Sequence, residues 1–209
     1  MQAHPPPPLL PMQWSSAYVS YWSPMLPGDQ MTSGYCWFNY ARDVCRIDGL
    51  FNPWPEKERG EHLWMSEVGD VARGQGFKRK MVYWKKVTPI GEHLCETLLP
   101  DERSSFHELF LPRAVLMDGN ARHAGCDPVL GQLADVWTIE RPHKAPLTLY
   151  LQAGTNLLLR MVSGNDKQHV SVRDFPNVFV GDIPESVFAM PRTPFPPGMA
   201  GEVPRVVET

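Results

Sequence analysis

Residues 14–23 read WSSAYVSYWS, and the runs that follow repeat their character: 32–40 (TSGYCWFNY), 43–51 (DVCRIDGLF), 61–69 (EHLWMSEVG) and 78–88 (KRKMVYWKKVT). All are rich in aromatic and β-branched residues and bounded by Pro, Gly or Asp, which is the signature of strands. The links are short, and Ala41–Arg42 suits a hairpin loop. A meandering antiparallel sheet is predicted. Further on, 103–110 (RSSFHELF) and 112–118 (PRAVLMD) read as short helices, with Pro112 suited to a helix start. Strands resume at 131–141, 147–152, 156–163 and 168–175, and 183–189 (IPESVFA) reads as a last short helix. The expected fold is mainly β: a large curved antiparallel sheet, an open barrel or half-barrel, with a few short helices.

The chain has 209 residues, which favours one domain large enough to fold without disulfide or metal staples. Its net charge is −3, against a nucleic-acid binder that relies on a basic surface. The 22 prolines concentrate at the two ends, in HPPPPLLP (4–11) and in 191–204. The expected organisation is therefore a Pro-rich tail at 1–11, one β-rich domain at 12–190, and a disordered Pro-rich tail at 191–209. Six of seven tryptophans fall in the first 84 residues. No secretory signal or membrane-spanning run is apparent, and Cys36, Cys45, Cys95 and Cys126 lack a disulfide framework. The expectation is a cytoplasmic protein with free thiols.

Side chains alternate between the faces of a strand, so parity sorts the candidate ligand residues. In 14–23 one face carries Trp14, Ser16, Tyr18, Ser20 and Trp22, mixing rings that stack with hydroxyls that orient. The same pattern also describes an aromatic core face. In 61–69, Glu67 shares a face with Leu63, Met65 and Gly69, where a carboxylate is costly unless paired or used. The alternative buries Trp64 and Val68 and leaves Glu67 in water. Arg173 shares a face with Ser171 and Phe175 and can grip a carboxylate if that face lines a cavity, although a surface arginine fits the pattern too. Arg46 and Asp48 are spaced to pair. Asn52, after Phe51 and before Pro53, either orients a ligand or serves a turn.

Phosphate-binding glycine loops, nucleophile elbows and HExxH motifs are absent. His93, Cys95, His123 and Cys126 form an HxC…HxxC series that could hold zinc, although its spacing is loose for a zinc framework. No metal and no cofactor is assigned.

WSSAYVSYWSPMLP (14–27), TSGYCWFNYARDVCRIDGLFNPW (32–54) and LWMSEVG (63–69) resemble the VioE family of violacein biosynthesis enzymes. ELFLPR (108–113), LYL (149–151), LRMVSG (159–164), RDFPNV (173–178) and IPESVFA (183–189) agree. The resemblance spans about 9–190, dense up to 69 and near the end and patchy over 70–148. It implies a curved antiparallel sheet like that of bacterial lipoprotein carriers, a homodimer, and a place in the synthesis of a bis-indole pigment. In that synthesis a flavin oxidase makes the imine of indole-3-pyruvate and a haem enzyme couples two of them. The implied activity acts on the coupled imine dimer. It directs a 1,2-shift of one indole to give the prodeoxyviolacein skeleton (protodeoxyviolaceinic acid), where the untended dimer drifts to chromopyrrolic acid. No cofactor is implied.

By motif position the resemblance places catalytic roles on Glu67, Ser20, Asn52 and Arg173 and substrate contacts on Tyr18, Phe51 and Trp14. The expected partners are the bis-indole imine and a second copy of the chain, with transient contact to neighbouring pathway enzymes, and neither nucleic acid nor membrane. The competing expectation is a non-catalytic carrier of an apolar or bis-indole ligand in the same cavity.

Overall fold

The computed structural model describes residues 6–29, 31–51, 61–70, 75–84, 89–97, 111–164 and 169–189, with backbone alone for 50, 51, 61–65, 75–84 and 89–97. Among the described residues, twelve strands form one antiparallel sheet: β1 (Gln13–Ser23), β2 (Thr32–Asn39), β3 (Val44–Phe51), β4 (Glu61–Asp70), β5 (Gln75–Trp84), β6 (Pro89–Thr97), β7 (Arg122–Val129), β8 (Gln132–Ile139), β9 (Leu147–Gln152), β10 (Leu158–Ser163), β11 (Val170–Asp174) and β12 (Phe179–Val180). The order is β6-β5-β4-β3-β2-β1-β11-β10-β9-β8-β7, and β12 pairs with β1 off this path. Two meanders thus meet where β1 pairs with β11. Helix α1 (Val115–Asp118) and a 3-10 helix (Glu185–Phe188) complete the described elements.

The curved, mainly β expectation holds. Strands β6, β7 and β12 were not anticipated. Nor does 112–118 become a full helix: only its last four residues are helical. Residues 103–110 and 191–209 lie outside the described residues.

One face of the sheet carries the main core, in which Trp14, Phe38, Trp137, Leu149, Leu151, Leu158 and Phe175 pack together with Leu116 of α1. Leu10 joins them with no exposed surface, and its N–H and C=O bond Arg113. The last residues of the expected 1–11 tail are therefore packed, and proline there marks extended backbone, not solvated chain. On the other face Val44, Ile183 and Phe188 cluster with Trp37 and Val187, so the 3-10 helix covers β2 and β3. There Arg46 holds Asp48 through two hydrogen bonds of 2.9 and 2.8 Å and donates to the Val187 carbonyl. The expected pair forms, and it also fastens the 3-10 helix to the sheet.

Candidate active site

A cavity of about 1000 Å³ opens on the core face of β1 and β11. Its size suits a large small-molecule ligand. β1 and β11 supply Tyr18, Trp22, Ser171 and Arg173, as the alternation predicts, and Phe175 follows just past β11. β2 and β3 supply Cys36, Phe38 and Ile47, while α1 and the 141–147 loop close the far side.

Arg173 is the charged group that β11 brings to the wall. Its Nε donates to Ser20 Oγ at 2.9 Å, and its guanidinium carbon lies 5.4 Å from the centre of the Tyr18 ring. Ser20 and Arg173 are directly opposite in the β1–β11 ladder, so the register itself makes this contact. A guanidinium held by Nε and backed by a ring presents its terminal nitrogens as a fork, the shape that grips a carboxylate. Tyr18 is 3% exposed. Burial pushes its phenol up to about 12; Arg173 opposes the shift, and Cys36, Glu67 and Asp48 add to it. Tyr18 is thus a neutral aromatic wall at physiological pH.

Glu67 is 4% exposed and lies opposite Ile47, which lines the cavity. Its charge is near enough to raise the pKa of both Tyr18 and Cys45. The two sequence alternatives for this strand are not exclusive, because Val68 is buried as well, at 2% exposed. Glu67 shares the face of the cavity-lining Ile47 but is not itself among the lining residues, and Val68 on the opposite face is buried as well. Cys36 and Cys45, also buried, have their thiols pushed up to about 12 by desolvation first, so neither is a nucleophile at neutral pH.

Ser20 bonds Arg173, so its described part is to aim the guanidinium. Trp14 lines the cavity but is 1% exposed, stacked on Phe38 at 4.5 Å and edge-on to Phe175 at 5.7 Å. It forms floor, and its Nε1 donates to Tyr40 Oη, which in turn donates to the Leu111 carbonyl at 2.7 Å. Phe51 ends β3 in register with Leu63, and its side chain is not described. Asn52 lies outside the described residues. Sequence reasoning missed the 141–147 loop, which brings Arg141 and Lys144 to the cavity. Arg141 donates to the Ala145 carbonyl at 2.7 Å and to Ser163 Oγ at 2.9 Å. The only signal was two cations in the proline-bounded loop RPHKAP (141–146). With Asp118 the sole acid among the described lining residues, the cavity carries Arg141, Lys144 and Arg173 around aromatic walls. That combination accepts an aromatic ligand bearing carboxylates.

Residues 7–188 match the model of the violacein biosynthetic enzyme VioE. The chain belongs to the VioE family. Its members are enzymes of violacein biosynthesis, and the match covers every described strand. The segments that carry the VioE motifs, 14–27, 32–54 and 173–178, are those that build the Tyr18–Ser20–Arg173 wall. Comparison with curated proteins gives no significant match. Among solved structures, an uncharacterized conserved protein from Thermus thermophilus is 11% identical, with 88% of each chain covered and a TM-score of 0.48. MucB of Pseudomonas aeruginosa, in complex with MucA, is 15% identical over 86% of this chain and 56% of that one, with a TM-score of 0.43. A LolA superfamily protein from Nitrosomonas europaea is 10% identical over 85% and 90%, with a TM-score of 0.34. These likenesses concern fold alone. No helix among the described residues is long and apolar enough to cross a membrane.

Proposed function

We propose that this VioE-family enzyme binds the coupled imine dimer of indole-3-pyruvate in the cavity and directs the 1,2-shift of one indole toward protodeoxyviolaceinic acid and prodeoxyviolacein, without a cofactor. The observation that carries the reading is Arg173, fixed by Ser20 and backed by Tyr18 inside an aromatic cavity with two more cations at its rim. The substrate has two indoles and two carboxylates, and the cavity offers rings for the first and guanidinium for the second.

The migration is an isomerisation. The bond from indole C3 to its chain carbon breaks as the bond to the adjacent carbon forms, and no electrons are gained or lost. What it asks of the protein is one held conformer and proton movement between imine and enamine forms. Arg173 fixes the first, and Glu67 is assigned the second. A homodimer is part of the reading; light scattering at micromolar concentration tests it.

Reconstitution tests the activity. Tryptophan, the flavin oxidase and the coupling haem enzyme are combined with and without this protein. Prodeoxyviolacein in its presence supports the reading, whereas chromopyrrolic acid alone in both arms would return it to a carrier.

A further inference from the structure

Away from the cavity, three metal-ligating side chains meet on the β7–β8 hairpin. Cys126 Sγ lies 3.3 Å from Asp135 Oδ1, and His123 Nε2 lies 3.5 Å from the same oxygen. One ligand atom from each residue falls within 4.8 Å of the other two. We propose that His123, Cys126 and Asp135 form a binding site for one divalent transition-metal ion, zinc foremost.

The strand is built to make this meeting possible. Residues three apart on a regular strand point to opposite faces. The ladder shifts register between His123 and Gly125, where Gly125 has a φ of 105°. The shift sets His123 opposite Trp137 and Cys126 opposite Asp135. Asp135 and Trp137 are two apart and share a face, so His123 and Cys126 come to that face together. A cysteine directly across from an aspartate, with a histidine one rung away, is the result.

The distances also fit a metal. With Zn–N and Zn–O near 2.0 Å and Zn–S near 2.3 Å, tetrahedral geometry places N and O about 3.3 Å apart and S and O about 3.5 Å apart. The donors stand close to those edges already. Asp135 is held from behind, since the Gly154 N–H donates to Oδ2 at 3.3 Å and turns Oδ1 toward the two other donors. Such an outer hydrogen bond is the usual means of orienting a ligating carboxylate. The Trp137 ring stands edge-on to His123 at 5.1 Å and walls the inner side, while Cys126 is exposed and gives entry. Nitrogen, sulfur and oxygen donors in a partly open site select zinc or its borderline neighbours over magnesium or calcium. Three protein donors leave a position for water. Of the four-residue series, His93 and Cys95 lie on β6, at the other end of the strand order from β7, and their side chains lie outside the described residues. Asp135 is the partner that the sequence pattern did not reveal.

The test uses the full chain, reduced and stripped with chelator. Zn²⁺ is titrated by calorimetry and Co²⁺ by absorbance. One equivalent should bind, and Co²⁺ should give a thiolate-to-cobalt charge-transfer band. The Cys126→Ser variant should lose that band, and its thermal midpoint should no longer rise on adding zinc. His123→Gln and Asp135→Asn should each weaken Zn²⁺ binding by at least the roughly 10–100-fold that loss of an outer-shell group costs. Cys126 is exposed, so its serine variant keeps the fold, which circular dichroism checks. A wild type without the band at saturating Co²⁺ overturns the proposal, as does a Cys126→Ser variant that keeps the band and the affinity. Either result would leave a hydrogen-bonded cluster only.

Discussion

Replacing Arg173 is the sharpest trial of the substrate clamp. The spontaneous drift of the imine dimer to chromopyrrolic acid runs at its own rate and acts as an internal clock. Under the proposed reaction, the ratio of prodeoxyviolacein to chromopyrrolic acid therefore reports the capture rate directly. Arg173 is half-buried and its guanidinium is already aimed by Ser20 and Tyr18. A hydrogen bond to a charged group is worth roughly 1.5–3 kcal/mol. Removing one such bond to a substrate carboxylate, as Arg173→Ala does, should thus lower the product ratio by about tenfold to about 150-fold. Arg173→Lys keeps the charge but gives up the fork and the Nε bond to Ser20, and should recover only part of that activity. Ser20→Ala leaves the charge and frees its aim, and should cost no more than about tenfold. The assay is reconstitution at fixed upstream flux, with both products quantified by chromatography and folding checked by circular dichroism. An Arg173→Ala protein that folds and keeps the wild-type ratio would refute the clamp. A Ser20→Ala effect larger than that of Arg173→Ala would refute the assigned division of labour.

Glu67→Gln preserves shape and removes the proton acceptor, so product formation should drop by about 10²–10⁴-fold with the fold intact, and an undiminished yield would strip Glu67 of its role. Trp14→Ala deletes a ring stacked on Phe38 and should lower stability by about 3–5 kcal/mol in denaturant titration; a loss below about 1 kcal/mol would mean the floor repacks. The folded chain holds the Tyr18 proton up to about 12 whereas an unfolded tyrosine releases it near 10, so the stability involved is whole below about pH 10 and lost as pH climbs toward 12. Denaturant titrations should show that alkaline fall, and Tyr18→Phe should make it shallower; an unchanged slope would contradict the burial argument. A Cβ on Gly34 would sit 1.9 Å from the Asp48 carbonyl oxygen of the adjacent strand. Gly34→Ala should therefore cost about 1–3 kcal/mol or more, and a neutral melting shift would show that β2 and β3 can move apart.

The parity of β1, β4 and β11 was legible in the sequence, because strict alternation carries face assignments with it. It grouped Tyr18 with Ser20 on one strand and Arg173 with Ser171 and Phe175 on another, and the β1–β11 register then set Ser20 opposite Arg173. The competing readings of Glu67 remained open for a physical reason: alternation presumes that one face is wet, and here the C-terminal 3-10 helix covers the opposite face of neighbouring β2 and β3. β6 (PIGEHLCET) and β7 (RHAGCDPV) were missed because Gly, Pro and Asp weaken the β signal. Pro128 is tolerated since β7 is an edge strand. Arg141 and Lys144 were not legible, since only the return of the second meander brings their loop to the cavity first built by β1. The motif resemblance supplied what spacing could not, namely which of several plausible polar residues to weigh.

One rung of the sheet runs Ser20, Arg173, Met161, Leu149, Trp137, His123 across six strands. Its consequence is a rule of inheritance. Insertions in the hairpin turns leave the rung in place, and descendants can carry turns of many lengths around one unaltered cavity. A single residue gained or lost inside β8 to β11 would invert every position beyond it and remove guanidinium and rings together. Only where the ladder already slips, near Leu158 and near His123, can the chain absorb an odd residue. Homologues should therefore differ in the length of their turns and agree in the parity of their strands.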